Sequence, residues 1–254
     1  MKDQILQALE EIECREDVRI LLAVESGSRA WGFASPDSDY DVRFLYVRRL
    51  EHYLRLEGRR DVIELPISNL LDVNGWDLDK TLKLLYRSNP TLFEWFSSPI
   101  VYWSSSFAKR FVPFMQPYFS SKRGLWHYLS MAEGNYHEFL RGNPLVKAKK
   151  YFYVLRPVLA CRWILRQGTP PPMQFSELVK TELDPALQPA VDYLLDLKIH
   201  APEVKQIPRM DVLNTYLESS IAEIKALVTA LPDTPAPSWK ELNALFLSEV
   251  MSAG

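Results

Sequence analysis

Apolar residues at the start of the chain recur at helical spacing, with Ile5, Leu6, Leu9 and Ile12 predicting a helix over residues 2–14. The pattern then changes. Val18 to Val24 is an apolar run with β-branched residues and predicts a strand. Small residues follow in the turn Glu25-Ser26-Gly27-Ser28, and Phe33 to Ser38 reads as a loop. From Tyr40 to Val47, Val42, Phe44 and Tyr46 alternate with Arg43 and Leu45, the period of a second strand. Asp61 to Ile67 predicts a third strand, and Leu70 to Val73 is short enough to be a fourth. Asp77 is placed to cap a helix over Leu78 to Arg87 that turns Leu78, Leu82 and Leu85 inward.

Beyond about residue 105 the strand signals fade. Helical periodicity punctuated by proline predicts helices near 122–141, 144–167, 174–180, 185–199, 208–230 and 238–251. Gly168 to Pro172 and Leu231 to Pro237 are breaks. The expected class is α+β, with a mixed sheet of four or five strands and helices in residues 1–105, followed by a helical domain in 106–254.

Composition narrows the possibilities. Of 254 residues, 47% are hydrophobic and 24% charged, which excludes a disordered chain. A net charge of −2 leaves no global basic field, so nucleic acid would need a local patch. Cys14 and Cys161 have no ligand-spaced partners and are expected in the core, as are Trp76, Trp95, Trp103 and Trp126. No apolar stretch has the character of a signal peptide or the length of a membrane span, so a soluble cytoplasmic protein with no membrane partner is expected.

The chemistry concentrates in Gly27-Ser28-Arg29-Ala30-Trp31-Gly32, followed after six residues by Asp39-Tyr40-Asp41-Val42. Residues i and i+2 of a strand share a face, so Asp39 and Asp41 present adjacent carboxylates. Ionised carboxylates that close repel unless a cation joins them, and their hard oxygens favour Mg²⁺ or Mn²⁺. Upstream, Gly27 permits close backbone approach, and the Ser28 hydroxyl with neighbouring N–H groups can receive phosphate oxygens. Phosphate cradle and paired carboxylates together suit metal-assisted phosphoryl or nucleotidyl transfer.

This combination resembles the DNA polymerase beta nucleotidyltransferase superfamily, whose signature is hG[GS] followed by Dh[DE]h. Gly27-Ser28 and Asp39-Tyr40-Asp41-Val42 fill those positions, and the departure is the polar Glu25-Ser26 before Gly27. The segments GSRAWGFASPDSDYDVR, LDVNGWDLDKTLKLLYRSNPTLFEWFSSPIVY and KAKKYFYVLRPVLACRWI resemble more closely the RlaP-like family of predicted nucleotidyltransferases, named for an RNA repair pathway, over roughly residues 15–180.

The resemblance implies a polymerase-beta-like domain and a third carboxylate on a later strand. Asp61, Glu64, Asp72 and Asp77 are the candidates; the family pattern favours Asp72, with Glu64 next, and Asp77 is better read as a helix cap. Metal ligands and catalytic residues are thus expected at Asp39, Asp41 and Asp72. Nucleotide contacts are expected from Gly27, Ser28 and Arg29. Arg29 and Arg43 alone are too few to balance a triphosphate, so Lys149, Lys150 and Arg156, on a helix after the Gly142-Asn143-Pro144 turn, are expected to contact the triphosphate or the acceptor. The implied reaction moves an NMP from an NTP to a hydroxyl, with an RNA end favoured as acceptor. The alternatives on the same fold are a nucleotide sensor and an antitoxin-like module that nucleotidylates a protein.

Overall fold

The computed structural model describes residues 1–67, 70–200, 206–233, 235 and 237–252. The chain forms two compact units: residues 1–30, 39–118 and 235–254 make the first, and 31–38 with 119–234 the second.

In the first unit the elements run α1 (Lys2–Glu16), β1 (Val18–Glu25), α2 (Gly27–Trp31, whose last residue belongs to the second unit), β2 (Tyr40–Arg48), α3 (Leu50–Tyr53), β3 (Val62–Glu64), β4 (Leu71–Asp77), α4 (Leu78–Tyr86), α5 (Pro90–Phe96), β5 (Val101–Ser104) and α6 (Ser106–Tyr118). The five strands form one mixed sheet in the order β3-β4-β2-β1-β5. β1 is antiparallel to β2 and β5, β3 is antiparallel to β4, and β2 runs parallel to β4.

One face of this sheet is apolar for a simple reason of period. Ile5, Leu9 and Ile12 of α1 pack on Val42, Phe44, Tyr46 and Val73, the alternate residues of two neighbouring strands. Gly75 stands opposite Phe44 in the ladder, and a β-carbon there would lie 2.2 Å from the Phe44 ring. The intervening residues, Asp41, Arg43 and Asp72, therefore belong to the other face.

Asp77 ends β4 and caps α4, accepting the Asp79 N–H at 2.9 Å, as expected. α4 buries Leu78, Thr81, Leu82 and Leu85. The first unit is completed by α12 (Trp239–Met251) from the far end of the chain, which packs against α4 and β2. Its Glu249, nearly fully buried, receives hydrogen bonds from Arg110 of α6, while Arg19 of β1 bonds the Glu249 carbonyl. Packing of α6 on β1 and of α12 on β2 is why the units do not part at residue 105.

The second unit is built from α7 (Ser121–Asn135), a π-helical turn at Tyr136–Leu140, β6 (Leu145–Lys147), α8 (Ala148–Gln167), α9 (Phe175–Glu182), α10 (Gln188–His200), β7 (Gln206–Pro208) and α11 (Asp211–Ala230). α8 runs through its core, burying Tyr151, Phe152, Val154, Leu155, Val158 and Leu159. The segment 31–38 is lodged here: Phe33 stacks on Phe152 at 4.7 Å and meets Phe175 edge-on. Ser35 and Ser38 share a hydroxyl hydrogen bond of 2.8 Å, and the buried Lys198 ammonium donates to Ser35 at 3.2 Å.

Several expectations are corrected. The third strand shrinks from Asp61–Ile67 to three residues. The helix expected from 144 begins at Ala148, after β6, and the one expected from 208 begins at Asp211, after β7; β6 and β7 pair antiparallel. Cys161 is buried but Cys14 is exposed, and Trp103 and Trp126 lie at the surface while Trp95 is in the core. No described helix is long and apolar enough to cross a membrane.

Candidate functional site

β2 and β4 bring the carboxylates together. In their parallel register Asp41 lies beside Asp72, and side chains at paired positions project to the same face. Two such carboxylates should repel. Arg43, two residues along β2 and so on the same face, resolves this: its Nη2 donates to Asp41 Oδ1 at 2.9 Å and to Asp72 Oδ2 at 2.7 Å, while Nη1 donates to the Asp72 carbonyl at 3.1 Å. The three side chains are about a fifth to a third exposed, wet enough for a ligand to reach yet dry enough for charges to matter. Burial pushes the Asp41 carboxyl above its ordinary value; Arg43 pulls it back, and the charges of Asp72 and Asp39 add to the rise.

Asp39 precedes β2 and is exposed. Its carbonyl accepts the Arg29 Nε–H at 3.1 Å, and the Arg29 guanidinium lies 3.6 Å from the centre of the Tyr40 ring. Glu64, the other candidate for a third carboxylate, instead receives hydrogen bonds from Asn74 and Arg60. Among the described residues no three His, Cys, Asp or Glu side chains converge as a preformed metal cluster.

The Gly27-Ser28 turn abuts the same carboxylate. Gly27 opens α2 with φ of +60°, a left-handed conformation that favours glycine. A β-carbon there would lie 2.1 Å from Asp41 Oδ2. α2 has only five residues, so its dipole adds little, and main chain and Ser28 hydroxyl are what the turn offers an anion.

Glu25, passed over in the sequence as a polar departure, is fully buried beside the site. Its Oε1 accepts the Asp41 N–H at 2.8 Å, and its Oε2 accepts the Tyr102 hydroxyl. Burial raises the Glu25 carboxyl from its usual range; the hydrogen bonds from Tyr102 and Asp41 oppose that rise. A charge closing the apolar run Ile20–Val24 was the available signal. Tyr102 carried none, because only the pairing of β5 with β1 delivers it.

In the second unit, Lys149 and Lys150 are partly exposed near the start of α8. The Lys150 ammonium lies 3.4 Å from the centre of the Phe139 ring, and burial lowers its pKa. Arg156 is not on an open wall. It is 3% exposed, stacks over Trp31 at 4.7 Å and donates to the Met173 carbonyl. A recess of about 610 Å³ in this unit is lined by none of the expected site residues, and its cations are engaged: Arg162 with Ser220 and Glu223, Arg166 with the Thr181 carbonyl.

A family model described as the RNA repair pathway DNA polymerase beta family, RlaP, matches residues 1–248. The chain belongs to this family. It is a polymerase-beta-like nucleotidyltransferase by family, and its mixed sheet with attached helices is the α+β architecture expected of one. It is also similar to the uncharacterized protein YcgL of Bacillus subtilis (strain 168), with 44% identity over 252 residues, covering 98% of this chain and 96% of that one. Among solved structures it matches a nucleotidyltransferase-like protein from Exiguobacterium sibiricum 255-15 at 16% identity and a TM-score of 0.32, over 98% of this chain and 80% of that one.

Proposed function

We propose that the protein transfers an NMP from an NTP to a hydroxyl acceptor with the help of Mg²⁺ or Mn²⁺, the acceptor oxygen bonding to the α-phosphorus as pyrophosphate leaves, and that the acceptor is an RNA end. The observation that carries this is the pairing of Asp41 with Asp72, bridged by a cationic group and set against the glycine of the phosphate turn. Membership of a family described by RNA repair supports the choice of acceptor.

The donor set fits a divalent cation. Its oxygens are hard carboxylates, and the Asp41–Asp72 pair already takes positive charge from Arg43. Asp41 and Asp72 would hold the cation, with Asp39 as a third ligand. Once bound, a cation of this kind neutralises charge on the α-phosphate and favours the ionised acceptor hydroxyl.

The chain's own residues do the rest. Gly27 keeps the turn close to Asp41, and the Ser28 hydroxyl and adjoining N–H groups orient phosphate oxygens. Arg29 adds charge beside the turn, and Lys149 and Lys150 are assigned to the triphosphate or acceptor. Arg156, buried against Trp31, is assigned to shaping segment 31–38 rather than to direct contact.

The test is incubation of the protein with each of the four α-labelled NTPs, Mg²⁺ or Mn²⁺, and either a 3′-hydroxyl RNA oligonucleotide or total protein. Label should appear on RNA, and Asp41→Asn should reduce it on the order of 10²-fold or more. Label on protein would move the acceptor assignment. No labelling of any acceptor by any NTP would end the proposal.

A further inference from the structure

Asp41 is held by three consecutive residues at the end of β1, each by different means. Ser26 donates its N–H to the Asp41 carbonyl at 2.8 Å. Gly27, lacking a β-carbon, leaves the space that Asp41 Oδ2 occupies. Glu25 accepts the Asp41 N–H on a side-chain oxygen at 2.8 Å.

The last of these is unusual. In an antiparallel ladder the acceptor for such an N–H is a main-chain carbonyl. The β1–β2 ladder ends with Glu25 opposite Val42, one residue short of Asp41. A carboxylate takes over where the ladder stops.

Glu25 is itself fixed. Its second oxygen accepts the Tyr102 hydroxyl, its N–H donates to the Ile100 carbonyl at 2.9 Å, and its carbonyl accepts the Ser98 hydroxyl at 2.6 Å. An apolar side chain would fill a fully buried position without the desolvation a carboxylate suffers, so packing alone does not account for glutamate here.

We propose that Glu25 is a positioning residue for Asp41: anchored by Tyr102, it fixes the Asp41 peptide and so the direction in which the Asp41 carboxylate projects toward Asp72. Its kinetic consequence rests on the transfer reaction proposed above; its structural consequence does not.

The test compares Glu25→Ala, Glu25→Gln and Tyr102→Phe with the wild type. Glutamine keeps an oxygen that accepts the Asp41 N–H, and alanine removes it. Amide hydrogen exchange by NMR should show the Asp41 N–H exchanging about tenfold or more faster in Glu25→Ala, relative to Phe44 in the same strand, and restored in Glu25→Gln. NTP labelling should show kcat reduced on the order of 10²-fold in Glu25→Ala with KM for NTP little changed, and within a few-fold of wild type in Glu25→Gln. Tyr102→Phe should fall between. Unchanged exchange at Asp41 in Glu25→Ala, or a Glu25→Gln protein as impaired as the alanine variant, would overturn the assignment. If Glu25→Ala does not fold, Tyr102→Phe decides: faster exchange at Asp41 supports the role, and unchanged exchange refutes it. A wild-type protein that labels nothing defeats the transfer reaction and leaves the exchange measurement standing.

Discussion

Gly27 and Asp41 compete for the same space: the Asp41 carboxylate oxygen lies 2.1 Å from where a Gly27 β-carbon would be. The contact ties the Gly27 turn to the strand that carries Asp41 across thirteen residues of intervening sequence. Gly27→Ala should therefore damage function more than stability. The clashing atom ends a short side chain that can rotate aside, so the cost in stability should be about 1–2 kcal/mol, mostly from the left-handed φ. Labelling activity should drop on the order of 10²-fold, because the rotation removes Asp41 from its place. Equal, small losses in both measurements would show that Asp41 keeps its orientation.

Arg43 has a different consequence. It supplies the positive charge between Asp41 and Asp72, so it should compete with an added divalent cation for the same carboxylates. Arg43→Ala should bind Mn²⁺ several-fold more tightly by calorimetry without nucleotide, by removing the competitor. Weaker Mn²⁺ binding in the variant would mean that Arg43 organises the pair rather than competing for it.

Gly75 tests the sheet away from the chemistry. Its missing side chain accommodates the Phe44 ring, which fills the core under α1. Gly75→Ala overpacks that contact and should cost about 1–3 kcal/mol in urea unfolding. A change within experimental error would show that Phe44 has room to shift.

Asp77 gives the fold a pH signature. Burial raises its carboxyl to about 6, although it accepts hydrogen bonds from the Asp79 N–H and the Tyr53 hydroxyl. The unfolded chain ionises this group near pH 3.8, so between the two values the folded state holds the extra proton. Its contribution to stability is full below about pH 4 and is lost as pH rises through about 6, on the order of 2–3 kcal/mol. Asp77→Asn still caps α4 but cannot titrate. The difference in unfolding free energy between wild type and Asp77→Asn should change across pH 4–6 and stay flat from pH 7 to 8. A difference independent of pH throughout would exclude Asp77 as the titrating group.

What the sequence made legible was whatever depends on local pattern. The period-two stretch from Tyr40 marked the strand that carries Asp41, and Asp77 before Leu78 marked the cap that the structure has. What it hid depends on distant partners. β5 has no buried alternation of its own and exists by pairing with β1. α6 carries Pro113 and Pro117, which obscured its helical period. Asp72 could be chosen only by resemblance, since its proximity to Asp41 comes from the parallel register of two strands separated by 22 residues. Glu25 looked like an interruption because its acceptor role requires the strand after the motif to return alongside it.

The interleaving of the two units governs how the protein can be taken apart. The chain passes from one unit to the other four times, after residues 30, 38, 118 and 234. No single cut yields either unit whole: a fragment ending at residue 118 lacks α12, and the loop joining Gly27-Ser28 to Asp39-Asp41 folds with Phe152, Phe175 and Lys198. The first unit is therefore not a portable cassette. Substitutions in α8 or α10 that loosen Phe33 or Ser35 act on the tether between its two signature segments, and truncation libraries built around residue 105 should return insoluble fragments rather than minimal enzymes.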